Sequence, residues 1–498
     1  MGQARLNLTA RWVHWAAFAA VALIGLAVRL PQLGARPMHT DEAVNAYIVG
    51  QLLAGQKYTY DPKDRHGPAL SALALPLVRL QGARTFADLT EAELRLAPVV
   101  AGTATILLCG AAAEIFGFVP CLIAALLFAC APLSVYYDRY FIHESLFVAA
   151  TFGLILSGWH ACAKRSAKSA ALAAACAALM LACKETAVLH FAALAAAALV
   201  YWLWNLRMIS LRNLVKPRAL LAAIAAFVLL SVTLYTWFGT NWSVLFALVH
   251  AVPDFAARAS GQGHAKPFWH YAHLLAGGRS GALLCAAACV GLLIAVHRRR
   301  AVPFALLAYY AIFIFVLYSA IPYKTPWLAL NFWLPMALLA GHACESLWCA
   351  PVKHAALRIA PPAACVVLAA VAAILIAHDT RQRVFLHPAD EDNPYAYAHT
   401  SDDLLGLPPL LAELVHQQGL TSPRIAVIAA DPWPLPWYLR QYAQVGYWQP
   451  GQTVGPADFY ITSTDAANQY AFQLQSFRAD FFGERPGVLI LLWSLAPQ

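Results

Sequence analysis

Acids and bases that could do chemistry together stand at a few points in this chain. His39-Thr40-Asp41-Glu42 is the first, followed closely by Asp61, Asp64, Arg65, His66, Gly67 and Pro68. Asp138-Arg139 with His143-Glu144, then Lys184-Glu185, then Tyr323-Lys324-Thr325-Pro326-Trp327 are the others. Carboxylates able to take a proton, beside cations able to hold a departing phosphate, suit the transfer of a sugar from a lipid phosphate to an acceptor. In such a reaction Asp41 would be the base, with Glu42 as its neighbour or orienter. Arg139, Lys184 and Lys324 would hold the phosphate, with Arg65, Arg95 and His66 as further candidates. Lysine would serve as a point charge and arginine as a fork. His66, Asp64, Glu144, Glu185, Tyr323 and Trp327 would line the substrate. Each residue also has a structural reading. Asp41 and Glu42 suit the first turn of a helix capped by Thr40 or Asp41. Arg139 would pair with Glu144, and Tyr323 and Trp327 would anchor at a membrane interface.

The elements that must position these residues are set by composition. The chain has 498 residues, 61% hydrophobic and 12% charged, with a mean hydropathy of +0.59. Soluble domains carry about 25% charged residues, so a large soluble enzyme is excluded, as is a disordered scaffold. Eleven apolar stretches are long enough, or nearly so, to cross a bilayer core of about 30 Å. They are 12–30, 94–115, 119–137, 143–162, 170–183, 186–204, 219–238, 280–296, 302–320, 327–345 and 359–377. The stretch 69–80 reads as an interfacial helix. The first run ends at Arg29-Leu30-Pro31 and is longer than a signal-peptide core, so it reads as an uncleaved anchor.

Charge sets an expected orientation. If the N-terminus is cytoplasmic, alternate loops place 14 of the 34 bases inside, but of the 25 acids only Glu114 and Glu345. That pattern follows the positive-inside rule, so the net charge of +9 reads as topology and nucleic acid is not an expected partner. These polar stretches would then all face outward, the first in the long outer loop 31–93 and the rest at span ends. Ionisable groups at a membrane margin are costly unless paired or hydrated, which makes them functional suspects. The 11 cysteines run from Cys109 to Cys365 with no metal-ligand spacing; Cys285 and Cys289 read as packing residues. His190 stands alone inside a span and reads as a satisfied core histidine.

The expected domains are a membrane module, 1–377, and a soluble extracytoplasmic α/β domain, 378–498. In the latter, Thr400-Ser401-Asp402 would cap a helix to about Gln418, and strands are expected at 424–429, 457–462 and 487–493. Its segment Asp431-Pro432-Trp433-Pro434-Leu435-Pro436-Trp437-Tyr438 would either recruit an acceptor through exposed aromatics or pack the domain onto the helices.

A single span followed by a long outer loop that opens with an acidic pair resembles the GT-C glycosyltransferases. The expected fold is a polytopic α-helical membrane protein of about 11 transmembrane helices with a small α/β domain. Protein O-mannosyltransferases and lipid A aminoarabinose transferases, of the glycosyltransferase family 39 type, are the nearest members. His66-Gly67-Pro68-Ala69-Leu70 looks like a variant of their His-Pro-Pro-Leu or Lys-Pro-Pro-Leu element, with Gly67 in place of a proline. His39-Thr40-Asp41-Glu42-Ala43, Lys184-Glu185-Thr186 and Tyr323-Lys324-Thr325-Pro326-Trp327 look like the bacterial and archaeal flippase-activity-associated group. The resemblance spans residues 10–345. It implies a polyprenyl-phosphate sugar donor, an inverting transfer to a protein, lipid or glycan acceptor, and Asp41 as the catalytic aspartate. A divalent metal near Asp41, Glu42 or His66 is left open by the spacing. The competing reading is a non-catalytic part of a machine that moves or assembles lipid-linked glycans.

Overall fold

The computed structural model describes residues 8–61, 65–204, 216–245, 265–298, 301–351, 358–471 and 473–495. Helices form at all eleven apolar stretches. Among the described residues nine are long and apolar enough to cross a membrane, whereas Phe118–Cys130 and Ala167–Cys183 are shorter. The chain is a polytopic α-helical membrane protein with a small α/β region at its C-terminal end.

The helices that matter for chemistry are α1 (Leu8–Arg29), α2 (Thr40–Leu53), α3 (Ala69–Leu80), α4 (Glu91–Phe116), α5 (Phe118–Cys130), α6 (Pro132–Tyr137), α7 (Glu144–Lys164), α8 (Ala167–Cys183), α9 (Ala187–Trp204), α10 (Pro217–Tyr235), α11 (His270–Ala276), α12 (Gly278–His297), α13 (Val302–Ala320), α14 (Leu330–Trp348) and α15 (Ala360–Thr380). The stretch 119–137 is one apolar run but two helices. Ala131 is extended, at φ −70° and ψ 143°, because the ring of Pro132 excludes the helical conformation from the residue before it. Pro132 then opens α6, where its missing N–H costs nothing.

The chain divides into two compact units. The first comprises 1–31, 57–73 and 95–386; the second comprises 32–56, 74–94 and 387–498. The second unit therefore takes in much of the first loop, which the sequence reading assigned to the membrane module. Its sheet has the order β2-β1-β3-β5-β4, from β1 (Arg424–Ile428), β2 (Gln444–Trp448), β3 (Phe459–Ser463), β4 (Phe477–Arg485) and β5 (Val488–Leu495). β1 pairs in parallel with β2 and β3, while β5 runs antiparallel to both β3 and β4. The three strands expected from sequence are the central ones, whose apolar runs are buried. β2 and β4 were missed because they are edges, and β4 carries Arg478, Asp480 and Arg485 within its nine residues. Ser401 caps the turn Asp402–Gly406 through the Asp403 N–H, and a helix follows from Leu407 to Gln417.

Candidate functional site

In the second unit, α2 begins at Thr40, and its N-cap is His39 rather than Thr40 or Asp41. His39 has extended backbone angles, so its ring reaches forward and accepts the Asp41 N–H on Nδ1 at 3.0 Å. Glu42 returns to the His39 N–H at 3.2 Å, which completes a capping box. Glu42 is fully buried and also takes Arg36 Nη2 at 3.3 Å on each oxygen. The two adjacent acids therefore differ. Glu42 is engaged in capping and in a buried ion pair. Asp41 is half-buried in the first turn, and its carboxylate has no hydrogen bond or ion pair among the described residues.

In the first unit, the loop leading to α3 is stitched to the end of α8. Glu185 accepts His66 Nδ1–H at 3.1 Å and the Tyr60 hydroxyl at 2.8 Å. The Tyr58 hydroxyl donates to the His66 carbonyl at 2.9 Å, and Asn241 donates to the Tyr58 carbonyl at 2.8 Å. Burial by itself would raise the Glu185 carboxyl, but the charge on His66 and hydrogen bonds from His66, the Glu185 backbone and Tyr60 bring it down to about 2. Gly67 sits against the backbone of Ala182, where a Cβ would overlap the carbonyl oxygen. Only glycine allows this approach, which explains its presence where related elements carry proline. His143 Nε2 donates to the Gly67 carbonyl at 3.2 Å, and its ring meets that of His66 edge-on at 5.4 Å. Burial, followed by the charges of His66 and Lys184, holds the His143 imidazole well below its ordinary value.

Beside this loop, Lys184 forms a buried ion pair with Glu144, at the start of α7. The sequence pairing of Arg139 with Glu144 is thus corrected. Arg139 instead donates Nη1 to the carbonyls of Arg29 and Pro31 at 2.7 and 2.6 Å and lies over the Phe385 ring. Its neighbour Asp138 pairs with Arg29 at 2.7 Å, and Arg29 also donates to the carbonyls at the end of α5. Gly102 clears room for that carboxylate, since a Cβ there would overlap it. Lys324 donates Nζ to the carbonyls of Lys266 and Ile321, at 3.1 and 2.5 Å, and burial pulls its ammonium below the usual lysine range. Tyr323 bridges to Ala265, and Trp327 is buried. Arg95 is buried in the first turns of α4, and Arg65 stays partly exposed near Thr59. Asp64 lies outside the described residues.

The expected residues thus fall into two sets. His66, Glu144, Lys184 and Glu185 share one cluster in the first unit, where Arg139 and Lys324 hold helix ends. Asp41 and Glu42 belong to the second unit. Sequence reading missed Tyr58, Tyr60, Arg29 and Arg36. The two tyrosines carried the one available signal, alternating just ahead of Arg65-His66 in a polar loop. Among the described residues no group of three or more His, Cys, Asp or Glu side chains is placed to hold a metal ion. His190 is the satisfied core residue expected, with ring nitrogens 2.8 Å from the Tyr310 hydroxyl and 3.1 Å from that of Tyr318.

The aromatic segment of the second unit packs rather than projects. Trp437 is fully buried and donates Nε1 to Glu91 at 2.8 Å, and Arg440 covers its ring at 3.8 Å. Tyr438 is buried as well and accepts the Met38 N–H. The expectation of an exposed aromatic surface at these two residues is therefore corrected. Elsewhere, an acid–base pair outside the cluster joins Lys164 to Glu114 at 3.7 Å, at the C-terminal ends of α7 and α4. Both side chains are exposed, so that pair contributes about 0–1 kcal/mol.

A family model described as dolichyl-phosphate-mannose-protein mannosyltransferase matches residues 80–253. No curated protein matches the sequence. Among solved structures, the chain is similar to ArnT from Cupriavidus metallidurans bound to undecaprenyl phosphate. That likeness covers 97% of this chain and 98% of the other, at 17% identity and a TM-score of 0.65. It is similar also to the oligosaccharyltransferase AglB from Archaeoglobus fulgidus in complex with an inhibitory peptide and a dolichol-phosphate. There it covers 99% of this chain and 75% of the other, at 13% identity and a TM-score of 0.57. The arabinofuranosyltransferase AftD from Mycobacteria matches 100% of this chain over 42% of its own, at 14% identity and a TM-score of 0.51. At such identities the likeness speaks for the fold. These matches lend no support to the flippase-associated grouping suggested by the sequence.

Proposed function

On the GT-C fold that this chain adopts, we propose that the protein is a membrane glycosyltransferase that moves a sugar from a polyprenyl-phosphate donor to an acceptor. Asp41 takes the proton of the acceptor hydroxyl. The acceptor oxygen bonds to the anomeric carbon as the bond from that carbon to the phosphate oxygen breaks. The electron pair leaves with the polyprenyl phosphate, and attack on the opposite face inverts the anomeric centre. The cations proposed for the leaving phosphate are Lys184, Lys324 and Arg139 of the first unit, and His66 is proposed to line the donor.

The observation that carries this reading is the contrast between Asp41 and Glu42. A carboxylate that is half-buried, at a helix N-terminus and unpartnered among the described residues is available for proton transfer. The similar structures bound to undecaprenyl phosphate or dolichol-phosphate support a lipid-linked donor. The polyprenyl chain would rest in an apolar cavity of about 400 Å³ between α11, α12, α13 and α14, lined by Leu275, Phe315, Phe332 and Pro335 among others. The basic loops of the sequence support a cytoplasmic N-terminus and chemistry on the outer side of the cytoplasmic membrane.

The test is sugar transfer by the purified full chain, supplied with polyprenyl-phosphate sugars and extracted membrane acceptors. Release of free polyprenyl phosphate that depends on acceptor supports the reading. Binding of the donor with no turnover under any acceptor mixture supports a carrier or assembly role instead.

A further inference from the structure

The backbone just ahead of Asp41 is held by groups from the far end of the chain. The Met38 N–H is donated to the Tyr438 hydroxyl at 2.9 Å, and the Met38 carbonyl accepts the Thr400 hydroxyl at 2.7 Å. His39 Nε2 lies 3.0 Å from the Tyr397 carbonyl, while its Nδ1 accepts the Asp41 N–H. A carbonyl only accepts and an N–H only donates, so both bonds exist together only in the neutral ring with its hydrogen on Nε2. The His399 ring packs against that of His39 at 4.9 Å. Met38, His39, Thr400 and Tyr438 are all buried, so water does not compete for these bonds. All of these residues belong to the same compact unit.

We infer that Tyr438, Thr400 and the Tyr397 carbonyl form a clasp that aims the Asp41 carboxylate, which makes the C-terminal unit part of the catalytic apparatus rather than an acceptor-recruiting attachment. The inference rests on the reading of Asp41 as the base. Asp41 has no side-chain partner among the described residues, so nothing on the carboxylate itself fixes its direction. Its aim is inherited from the backbone of residues 38–41, and the clasp grips that backbone through both the N–H and the carbonyl of Met38. Misplacing a reacting group by about 1 Å costs on the order of 100-fold in rate. Thr400 and Tyr438 are positioning residues in this account, acting through Met38 and His39.

The experiment compares full-chain Thr400→Val, Thr400→Ser, Tyr438→Phe and Asp41→Asn, each purified in detergent and checked for a single folded species. Val keeps the shape of Thr400 without its hydroxyl, and Phe does the same for Tyr438. The clasp predicts a kcat lowered about 10- to 100-fold in Thr400→Val and Tyr438→Phe, with donor KM within twofold of the parent and activity restored in Thr400→Ser. Parental kcat in either folded variant overturns the clasp, as does a rise in donor KM that matches the fall in kcat. Should Thr400→Val not fold, Tyr438→Phe decides alone. Activity in Asp41→Asn removes the base and the premise with it. An inactive Asp41→Asn alongside fully active Thr400→Val and Tyr438→Phe removes the clasp only.

Discussion

Glu185 orients the ring of His66. A carboxylate only accepts, so the 3.1 Å contact places a hydrogen on His66 Nδ1, in a side chain that remains 34% exposed. The carboxylate itself is held ionised by that ring and by Tyr60, so the orientation persists across the physiological range. Glu185→Ala removes both bonds and lets the loop at 57–68 loosen. The expected outcome is a donor KM raised about 10-fold with a smaller change in kcat, as when a group orienting a ligand-binding residue is lost. Initial-rate kinetics with varied donor check this.

Lys184 and Glu144 carry opposite charges in a buried setting, each with little exposed side-chain area. Removing one leaves the other uncompensated, which costs about 3–5 kcal/mol. Lys184→Met should therefore lower thermal stability sharply, and Lys184→Met with Glu144→Leu should recover most of it. Scanning fluorimetry of the three proteins in one detergent separates this from loss of a surface pair. A single variant as stable as the parent would show that the charge is hydrated instead.

Glu484 sits at the bulge between Gly483 and Arg485, buried, with Oε1 lacking a hydrogen-bond partner. Burial raises its carboxyl to about 7, with Arg485 opposing the shift and Asp431 adding to it. A carboxyl raised on folding binds its proton more tightly in the native state. Its contribution is complete below the ordinary value of 4.5 and is lost as pH rises through about 7. Glu484→Gln should therefore stabilise the second unit at pH 8, by about 2 kcal/mol, and give no gain at pH 5. Unfolding midpoints at the two pH values measure the difference.

The membrane part of this fold was legible because hydrocarbon imposes a length and an apolar composition on every span, and all eleven runs became helices. The break at Ala131-Pro132 was equally available, since proline restricts the residue before it. Edge strands such as Gln444–Trp448 and Phe477–Arg485 lack that signature, as one side of each meets no neighbour. In the site, residue type predicted which groups would be polar and buried, but not how they pair. Glu144 and Lys184 are 40 positions apart, and His66 and Glu185 are 119 apart, so their partnership depends on packing that no local pattern encodes. Sequence reading put Asp41 ahead of Glu42 as the base, but no local pattern showed how differently the two are held. The capping geometry of His39 and the proximity of Arg36 distinguish them.

The most direct measurement is sugar transfer by Asp41→Asn and Glu42→Gln under identical donor and acceptor conditions. The account predicts that folded Asp41→Asn binds donor normally and transfers at least about 1,000-fold more slowly, the scale of lost general-base catalysis. Glu42→Gln, which keeps an oxygen for the cap, should retain measurable turnover at reduced stability. Parental transfer by Asp41→Asn would contradict the account.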